Sequence, residues 1–470
     1  MHRPPLLVMT SPGLHMAADA DARAAASLGP MRSLAGAFQR LRSHAVRRVG
    51  WGLADQAVSS LTNFAVSIYL VHSLGAAQFG AFGLVYVTYG FALNVSRGLS
   101  TDPLMVRFSG TDVTRWRRAV AMCTGTATVV GLIAGACALV AAAILGGTPG
   151  AAFRALGLML PVLMLQDSWR YSFFALGRGS QAFLNDTVWA VTLLPTLVML
   201  RKTGHADVFW FVFAWGATAG VAAAVGPLQA RVVPKLSEAG SWLSQHRDLG
   251  WRYMAEGTSS SIAGQLRGYG MGFLLGLAAV GYVQAAATLL GPMTILFLAM
   301  SLVTIPEAAR VLRRAPTRLP LFCMLVSGGL AALGLAWAIV LLVALPRGLG
   351  GWLLGPIWRP TYPLVVPTML GVIGQGAGAG AFAGLHALGA SRRSLNAVVL
   401  GAAAFVGFSL IGAVAGGAVG AIWGTAVAVW ISTMMLWWQL RSALPETGNI
   451  NVGGRFWSVR EAGRHRGRSR

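Results

Sequence analysis

The chain of 470 residues carries a formal net charge of +23, yet only 11% of its residues are charged and 55% are hydrophobic. A typical soluble protein has about 25% charged residues, so the composition excludes that class. Apolar runs long enough to cross the ~30 Å hydrocarbon layer recur along the chain, and they are too long and too unbroken for barrel strands. The sequence therefore predicts an all-α, polytopic helical membrane protein.

The positive charge is concentrated in the two termini and in alternate short loops. This distribution is typical of the cytoplasmic loops of membrane proteins. It predicts a multi-pass protein of the cytoplasmic (inner or plasma) membrane with both termini in the cytoplasm, and it argues against nucleic acid as a partner. The three cysteines, Cys123, Cys137 and Cys323, lie in apolar segments. Their spacing predicts neither a disulfide framework nor a metal site.

In chain order, residues 1–50 form a basic cytoplasmic tail that lacks the features of a signal peptide. Residues 31–48 are compatible with a basic helix on the inner leaflet or with a disordered basic tail. Twelve membrane helices are predicted to follow. Their expected ranges are 51–73, 80–99, 119–145, 154–176, 182–200, 208–228, 253–277, 281–303, 321–345, 362–387, 394–416 and 418–440.

The first pair of helices is repeated about 200 residues later. Trp51 corresponds to Trp251, Gly75 to Gly276, Gly80 to Gly281 and Pro103 to Pro306. We interpret the chain as one unit present twice in parallel orientation. The expected domains are an N-lobe of six helices (51–228), a cytoplasmic inter-lobe loop (229–252), a C-lobe of six helices (253–440) and a basic cytoplasmic tail (441–470).

Ionisable residues inside membrane helices cost at least ~2.5 kcal/mol near the bilayer centre, so each one is a candidate functional residue. Arg267 is the deepest of them, fifteen residues beyond Arg252 on the seventh helix. Glu256 shares its helix face, and Asp55 is the near-equivalent of Glu256 in the first helix. These residues are predicted to line a central cavity. The alternatives are a helix-capping role for the two carboxylates and a buried carboxylate partner for Arg267.

Three further sites were expected to have mainly structural roles. Asp167 and Arg170 lie three residues apart on the fourth helix and are predicted to form an ion pair. Arg97 lies near the inner end of the second helix and is predicted to reach the lipid phosphates. Asp186 opens the fifth helix, where it is expected to cap the helix or to line the inner mouth. All of them remain candidates for binding substrate in the cavity.

Glycine recurs at every fourth residue of the seventh helix. Such spacing lets helix backbones approach closely, and glycine also makes a helix easier to bend. Hinge bending and ordinary close packing are both compatible with this pattern. Its members are Gly264, Gly268, Gly272 and Gly276.

The predicted outside loops are short. The longest, at about 346–361, contains no carboxylate. A membrane glycosyltransferase, polymerase or ligase needs catalytic carboxylates or histidines in a sizeable outer loop, and the chain has no Walker-type phosphate loop. The sequence therefore predicts that the protein is not an enzyme.

Several segments resemble a known family. LGAAQFGAFGLVYV after the first helix, its repeat LGLAAVGYVQAA, the turns that begin with ALG and AVGAIWGTAVA before the last helix are similar to those of polysaccharide flippases in the multidrug/oligosaccharidyl-lipid/polysaccharide (MOP) exporter superfamily. The resemblance covers about residues 48–442. It implies a MATE-like fold in which two six-helix lobes enclose a central cavity and give alternating access to the two membrane faces.

The resemblance also implies a substrate, an oligosaccharide on a polyprenyl diphosphate, which is flipped from the inner to the outer leaflet for cell-surface or exopolysaccharide synthesis. It implies no cofactor beyond a coupling H⁺ or Na⁺. The implied partners are membrane lipids and the polysaccharide polymerase or export machinery. Arg267, with Arg170 or Arg97, would supply cations for the diphosphate.

Two alternatives within the superfamily stay open. Four interior carboxylates against three arginines would also suit a drug or cation antiporter. A peptidoglycan-precursor lipid flippase is the other alternative, but those flippases have fourteen helices against the twelve predicted here.

Overall fold

The computed structural model describes residues 50–52 and 54–447, except for a few side chains within the helices, that of Glu256 among them. The described part is almost entirely helical and contains no strand. The first half holds seven helices. They are α1 (54–73), α2 (Ala76–Ser96), α3 (Asp102–Phe108), α4 (Val113–Leu145), α5 (Gly147–Ala175), α6 (Gly179–Lys202) and α7 (Val208–Ala230). A π-helical turn, Arg97–Thr101, joins α2 to α3.

The second half begins with a short helix. Its helices are α8 (Ala239–Gln245), α9 (Arg247–Leu275), α10 (Leu277–Thr288), α11 (Gly291–Arg314), α12 (Leu319–Ala344), α13 (Gly350–Leu354), α14 (Trp358–Ala387) and α15 (Ser391–Thr447). The backbone of α15 leaves the helical region at Gly416 and Gly417. We call the two parts the first arm (391–415) and the second arm (418–447) of α15.

Seven helical stretches of the described chain are long and apolar enough to cross a membrane. Two of them contain a backbone break, within 345–349 and at 416–417. The predicted all-α membrane fold is confirmed. The predicted number of twelve membrane helices stays a prediction.

Two predicted ranges differ from the structure. The eighth predicted helix, 281–303, is interrupted at Leu289 and Leu290, between α10 and α11. Pro292 follows the interruption, and its ring disfavours a continuous helix there. The predicted inter-lobe loop, 229–252, contains α8 and the first turns of α9.

Close packing of hairpins depends on glycine in both halves. In the first half, a Cβ atom at Gly135 would meet the carbonyl oxygen of Gly157, where α4 crosses α5. In the second half, a Cβ at Gly380 would overlap the carbonyl oxygen of Cys323, where α12 crosses α14. Small residues at such crossings bring helix backbones into direct contact.

The two halves meet at a corresponding pair of repeat positions. A Cβ at Gly80 would overlap the carbonyl oxygen of Leu277, and one at Gly281 would overlap the carbonyl oxygen of Ala76. Gly80 lies on α2 and Gly281 on α10, so these two helices cross with their backbones touching. The crossing joins the two lobes near the start of each helix.

A second contact between the halves runs along α2 and α9. Ser261, Gln265 and Tyr269, spaced by four residues, share one face of α9. Gln265 Nε2 donates to the carbonyl oxygen of Val87 at 2.6 Å, and the hydroxyl groups of Ser261 and Tyr269 bond to Asn94 and Thr88 of α2. Near the end of the π-helical turn, Trp242 Nε1 of α8 donates to the carbonyl oxygen of Leu99 at 3.1 Å.

We expect Gly80→Ala to destabilise the folded protein strongly, because the added methyl group would force α2 and α10 apart. Gly90→Ala on the same helix is the matched control, since a Cβ there meets nothing within 4 Å. Alanine is the better helix former by up to about 1 kcal/mol, so the control should melt at the same temperature or higher. Thermal unfolding of the purified protein in detergent measures both. Equal melting temperatures would contradict the crossing.

A second expectation concerns His246, between α8 and α9 and outside the membrane spans. Burial lowers the pKa of His246 below its usual value, and the positive charge of Arg107 lowers this pKa further. The hydrogen bond to the Trp242 carbonyl and the negative charge of Asp248 oppose the shift. The unfolded chain therefore binds the proton more tightly than the folded one. The stability contributed by neutral His246 is complete above about pH 6.5 and is lost as the pH falls through the folded-state pKa.

We accordingly expect the melting temperature to fall from pH 7 to pH 5, with a shallower fall for His246→Phe. Phenylalanine keeps the ring contact with Trp242, whose ring centroid lies 4.0 Å away, but it does not titrate. Parallel profiles for the two proteins would show that His246 makes no contribution.

Candidate functional site

The interior of the N-lobe contains an ion-pair network centred on Arg170 of α5. Arg170 Nε donates to Asp55 Oδ2 of α1 at 2.6 Å and lies 3.4 Å from Asp186 Oδ2 of α6. Asp55 is fully buried, and Asp186 is only 4% exposed. One guanidinium group thus joins three helices and neutralises part of the charge of two carboxylates.

Amide side chains extend this network towards α7. Gln166 Nε2 donates to Asp186 Oδ1 at 2.9 Å. Asn185 Nδ2 donates to the carbonyl oxygen of Ala222 at 2.8 Å and to Gln229 Oε1 at 3.1 Å. These bonds satisfy buried polar groups that would otherwise be costly in the membrane.

A second ion pair lies beside the first. Arg97, the first residue of the π-helical turn, contacts both carboxylate oxygens of Asp167, with Nε–Oδ2 at 2.9 Å and Nη2–Oδ1 at 2.6 Å. Its guanidinium carbon lies 4.8 Å from the ring centroid of Tyr171. A two-pronged arginine–carboxylate contact is both strong and directional, so Arg97 is held inside the protein.

The described N-lobe network therefore combines three carboxylates with two guanidinium groups. Asp55 Oδ1 is buried and has no hydrogen-bond partner among the described residues. A space of about 10 Å³ beside Asp186 has about the volume that one water molecule needs. Its polar lining residues besides Asp186 are Ser59, Thr62 and Asn63, and Trp189, Ala190 and Leu193 complete the wall. Carboxylate, hydroxyl and amide oxygens are groups that accept a proton or a small hard cation.

Arg267 in the C-lobe has a different environment. Its guanidinium carbon lies 4.9 Å from the ring centroid of Phe405 on the first arm of α15, and Nη1 lies 3.5 Å from Thr425 Oγ1 on the second arm. The Nε atom is buried without a hydrogen-bond partner in the described structure. Within the described residues, no carboxylate forms a salt bridge with Arg267. This arginine is thus a partly buried cation whose enclosed Nε atom has no described hydrogen-bond partner.

A cavity of about 360 Å³ lies in the C-lobe on the other side of Phe405, the residue that contacts Arg267. It is enclosed by α11, α12, α14 and both arms of α15, and Phe405 forms part of its wall. Most of the other wall residues are apolar or small.

The structure changes the predicted partners of several site residues. Asp167 and Arg170 do not form a salt bridge with each other; each takes a partner from another helix. Arg97 does not extend to lipid phosphates, because Asp167 binds it. Asp186 lies well inside α6, which begins at Gly179, so it does not cap the helix. The predicted role of Glu256 falls on a side chain outside the described structure.

The glycines of the seventh predicted helix lie on α9 and its C-terminal boundary. A Cβ at Gly264 or Gly276 would meet nothing within 4 Å, and one at Gly268 or Gly272 would make ordinary contacts with Leu84. Close backbone packing therefore does not account for the spacing. Their role as a hinge stays a prediction.

Sequence reasoning missed the amides Gln166, Asn185 and Gln229, which complete the N-lobe network. Asn185 beside Asp186 gave a partial signal, since both polar residues fall within an apolar run. Phe405 and Thr425 carried no signal, because an aromatic residue and a threonine are ordinary in membrane helices. Only the folded arrangement shows that they contact Arg267.

The chain matches no family model and no curated protein. Its fold is nevertheless that of a known class of helical membrane transporters. An inward-facing multidrug resistance MATE family transporter of the MOP superfamily superposes with a TM-score of 0.64 at 15% identity, over 83% of this chain and 96% of that one.

Two other solved structures have the same fold. The lipid II flippase MurJ, in an inward closed conformation, gives a TM-score of 0.59 at 11% identity, over 85% of this chain and 89% of that one. A MOP superfamily transporter from Pyrococcus furiosus, whose binding pocket has reverse polarity, gives 0.56 at 15% identity, over 87% and 96%. The chain thus has the fold of MOP superfamily transporters, as its sequence motifs had predicted.

The two kinds of arginine should differ in their effect on stability. Arg170→Met leaves buried carboxylates without their cation, and breaking a buried ion pair costs about 3–5 kcal/mol. Arg267→Met removes a partly buried cation that forms no described salt bridge, so no described carboxylate loses its partner. We expect the first variant to melt far below the native protein and the second to melt at or above the native temperature. A similar loss in both variants, measured in the same detergent, would contradict this assignment.

Proposed function

We propose that the protein is an alternating-access transporter that moves a polyprenyl-diphosphate-linked oligosaccharide from the inner to the outer leaflet of the cytoplasmic membrane. Surface or exopolysaccharide synthesis would use the flipped lipid. The protein would make or break no covalent bond. The observation that carries the proposal is Arg267, a partly buried cation without a described carboxylate partner.

Arg267 is partly buried and its Nε atom is enclosed, and an arginine inside a membrane protein is costly unless an anion or a set of acceptors completes its environment. Thr425 supplies one long contact at 3.5 Å, and the ring of Phe405 supplies a weaker one. Several donor positions of the guanidinium group are left over. The planar guanidinium group presents its donors in a fork that can bind two oxygens of a diphosphate at once. A lysine ammonium lacks this fixed geometry.

The arginines of the N-lobe are less suited to bind the substrate anion. Arg97 and Arg170 are already paired with Asp167, Asp55 and Asp186. The excess carboxylate in this network favours uptake of a cation instead. We therefore assign the N-lobe network to a coupling H⁺ or Na⁺ and Arg267 to the substrate, so that the two lobes have separate tasks.

A drug or cation antiporter is the second candidate, and the acidic excess of the N-lobe favours it. In that case the network of Asp55, Asp186 and Arg170 would bind the exported cation or the coupling ion that is exchanged for it. Arg267 would then have no ligand of its own.

The deciding experiment uses a strain that lacks the gene. We expect lipid extracts to accumulate a complete polyprenyl-linked repeat unit while surface polysaccharide disappears. Plasmid-borne native protein should reverse both effects, and Arg267→Ala should reverse them at least about tenfold less well, since a hydrogen bond to a charged group contributes about 1.5–3 kcal/mol.

The control for insertion and folding is the amount and melting temperature of each variant in membranes. Unchanged lipid intermediates together with new sensitivity to cationic drugs would overturn the flippase proposal in favour of the antiporter. Accumulation of a peptidoglycan precursor would overturn the oligosaccharide assignment and leave a lipid flippase of different cargo.

A further inference from the structure

We propose that the C-lobe itself holds the membrane-anchoring part of an anionic lipid, with the phosphate at Arg267 and part of the apolar chain inside the 360 Å³ cavity. This inference deepens the proposed function and rests on it for the identity of the lipid. It places the lipid chain inside one lobe and not only in the bilayer between the lobes.

The first argument is continuity between cation and cavity. Phe405 contacts the guanidinium group of Arg267 and also forms part of the cavity wall. Thr425, the hydrogen-bond partner of Arg267, lies four residues before Val429, which lines the cavity. Positions four apart are neighbours on one helix face, about 6 Å along the axis. Arg267 is therefore separated from the cavity by the single side chain of Phe405 on one arm of α15 and by one helical turn on the other.

The second argument is the chemistry of the walls. Several hydroxyl groups at the cavity already donate to backbone carbonyl groups, Thr304 to Met300 at 2.7 Å, Ser432 to Ala428 at 2.8 Å and Thr433 to Gly374 at 2.8 Å. Their hydrogen atoms are used, so they present mainly apolar surface and spare acceptors. A sugar needs many donors and acceptors together, whereas an isoprenoid or acyl chain needs none. Large cavities with apolar walls take up apolar ligands in preference to water.

The third argument is size and access. Pockets for organic ligands are commonly about 300–1,000 Å³, so this cavity can hold a segment of chain but not a whole polyprenyl tail. Two lining residues, Ser301 of α11 and Gln375 of α14, are exposed. The cavity is therefore open on that side, and the remainder of a long chain can leave it there.

The test uses the full-length protein in nanodiscs and a polyprenyl phosphate with a diazirine in its chain. After irradiation, mass spectrometry locates the modified peptides. We expect labelling on α14 and on the arms of α15 around Phe405 and Ser432. The uncharged polyprenol with the same diazirine should label this site at least about tenfold less.

Two variants separate the phosphate from the chain. Arg267→Ala should remove the preference for the phosphate and bring both probes to the same low level. Ala379→Phe, which fills the cavity from α14, should reduce labelling by both probes. Ala403→Phe is the matched control, because Ala403 lies on the first arm of α15 but is exposed. It should label like the native protein.

Competition separates the source of the lipid from the existence of the site. Displacement by unlabelled polyprenyl diphosphate would support both the site and the proposed cargo. Displacement only by an anionic phospholipid such as phosphatidylglycerol would support the site and count against the cargo. Labelling spread over other helices, or left unchanged by Ala379→Phe in a protein of native melting temperature, would overturn the inference whatever the lipid analysis of the deletion strain shows.

Discussion

The salt bridges of Arg170 organise the N-lobe. Hydrocarbon provides no solvation for a charge, so Asp55, Asp186 and Arg170 stabilise one another only if α1, α5 and α6 keep their relative positions. Gln166 donates to Asp186 Oδ1 and to Asn185 Oδ1, and Asn185 in turn donates to the carbonyl oxygen of Ala222, which extends the constraint to α7. The arrangement of four helices thus depends on neutralising a few charges, and a change in the protonation of one carboxylate would act on all four.

The two halves of the chain, which the sequence predicts to be copies of one unit, bury charge in opposite ways. The N-lobe encloses an excess of carboxylate around paired arginines, and the described C-lobe encloses an arginine beside an apolar cavity. The shared fold supplies the same scaffold of helices, whereas the charged side chains differ. Such a division would suit a transporter that moves an anionic lipid at the expense of a cation gradient. The cation would bind near the carboxylates of one lobe and the anion near the arginine of the other.

How much of this could be predicted depends on the range of the interaction. The helices and their repeat were accessible from the sequence, because apolar length and glycine position are local properties. Asp55, Asp167, Asp186, Arg97, Arg170 and Arg267 were also recognisable as costly residues in apolar runs. Their partners were not, because Asp167 has a neighbour three residues away in Arg170 yet binds Arg97, seventy residues distant. Helix spacing identifies which side chains can meet on one helix, but competition with other helices decides which do.

The crossing of Gly80 and Gly281 has a consequence for the history of the fold. Each glycine contacts the helix that carries the other, at the same place in the repeat. This reciprocity is the pattern of an isologous interface, in which one surface binds a second copy of itself about a twofold axis. A half-length ancestor with this surface would have been a homodimer before its gene was duplicated and fused. In a single chain that carries both halves the interface is permanent, and each half can carry its own charges without disturbing a symmetric partner.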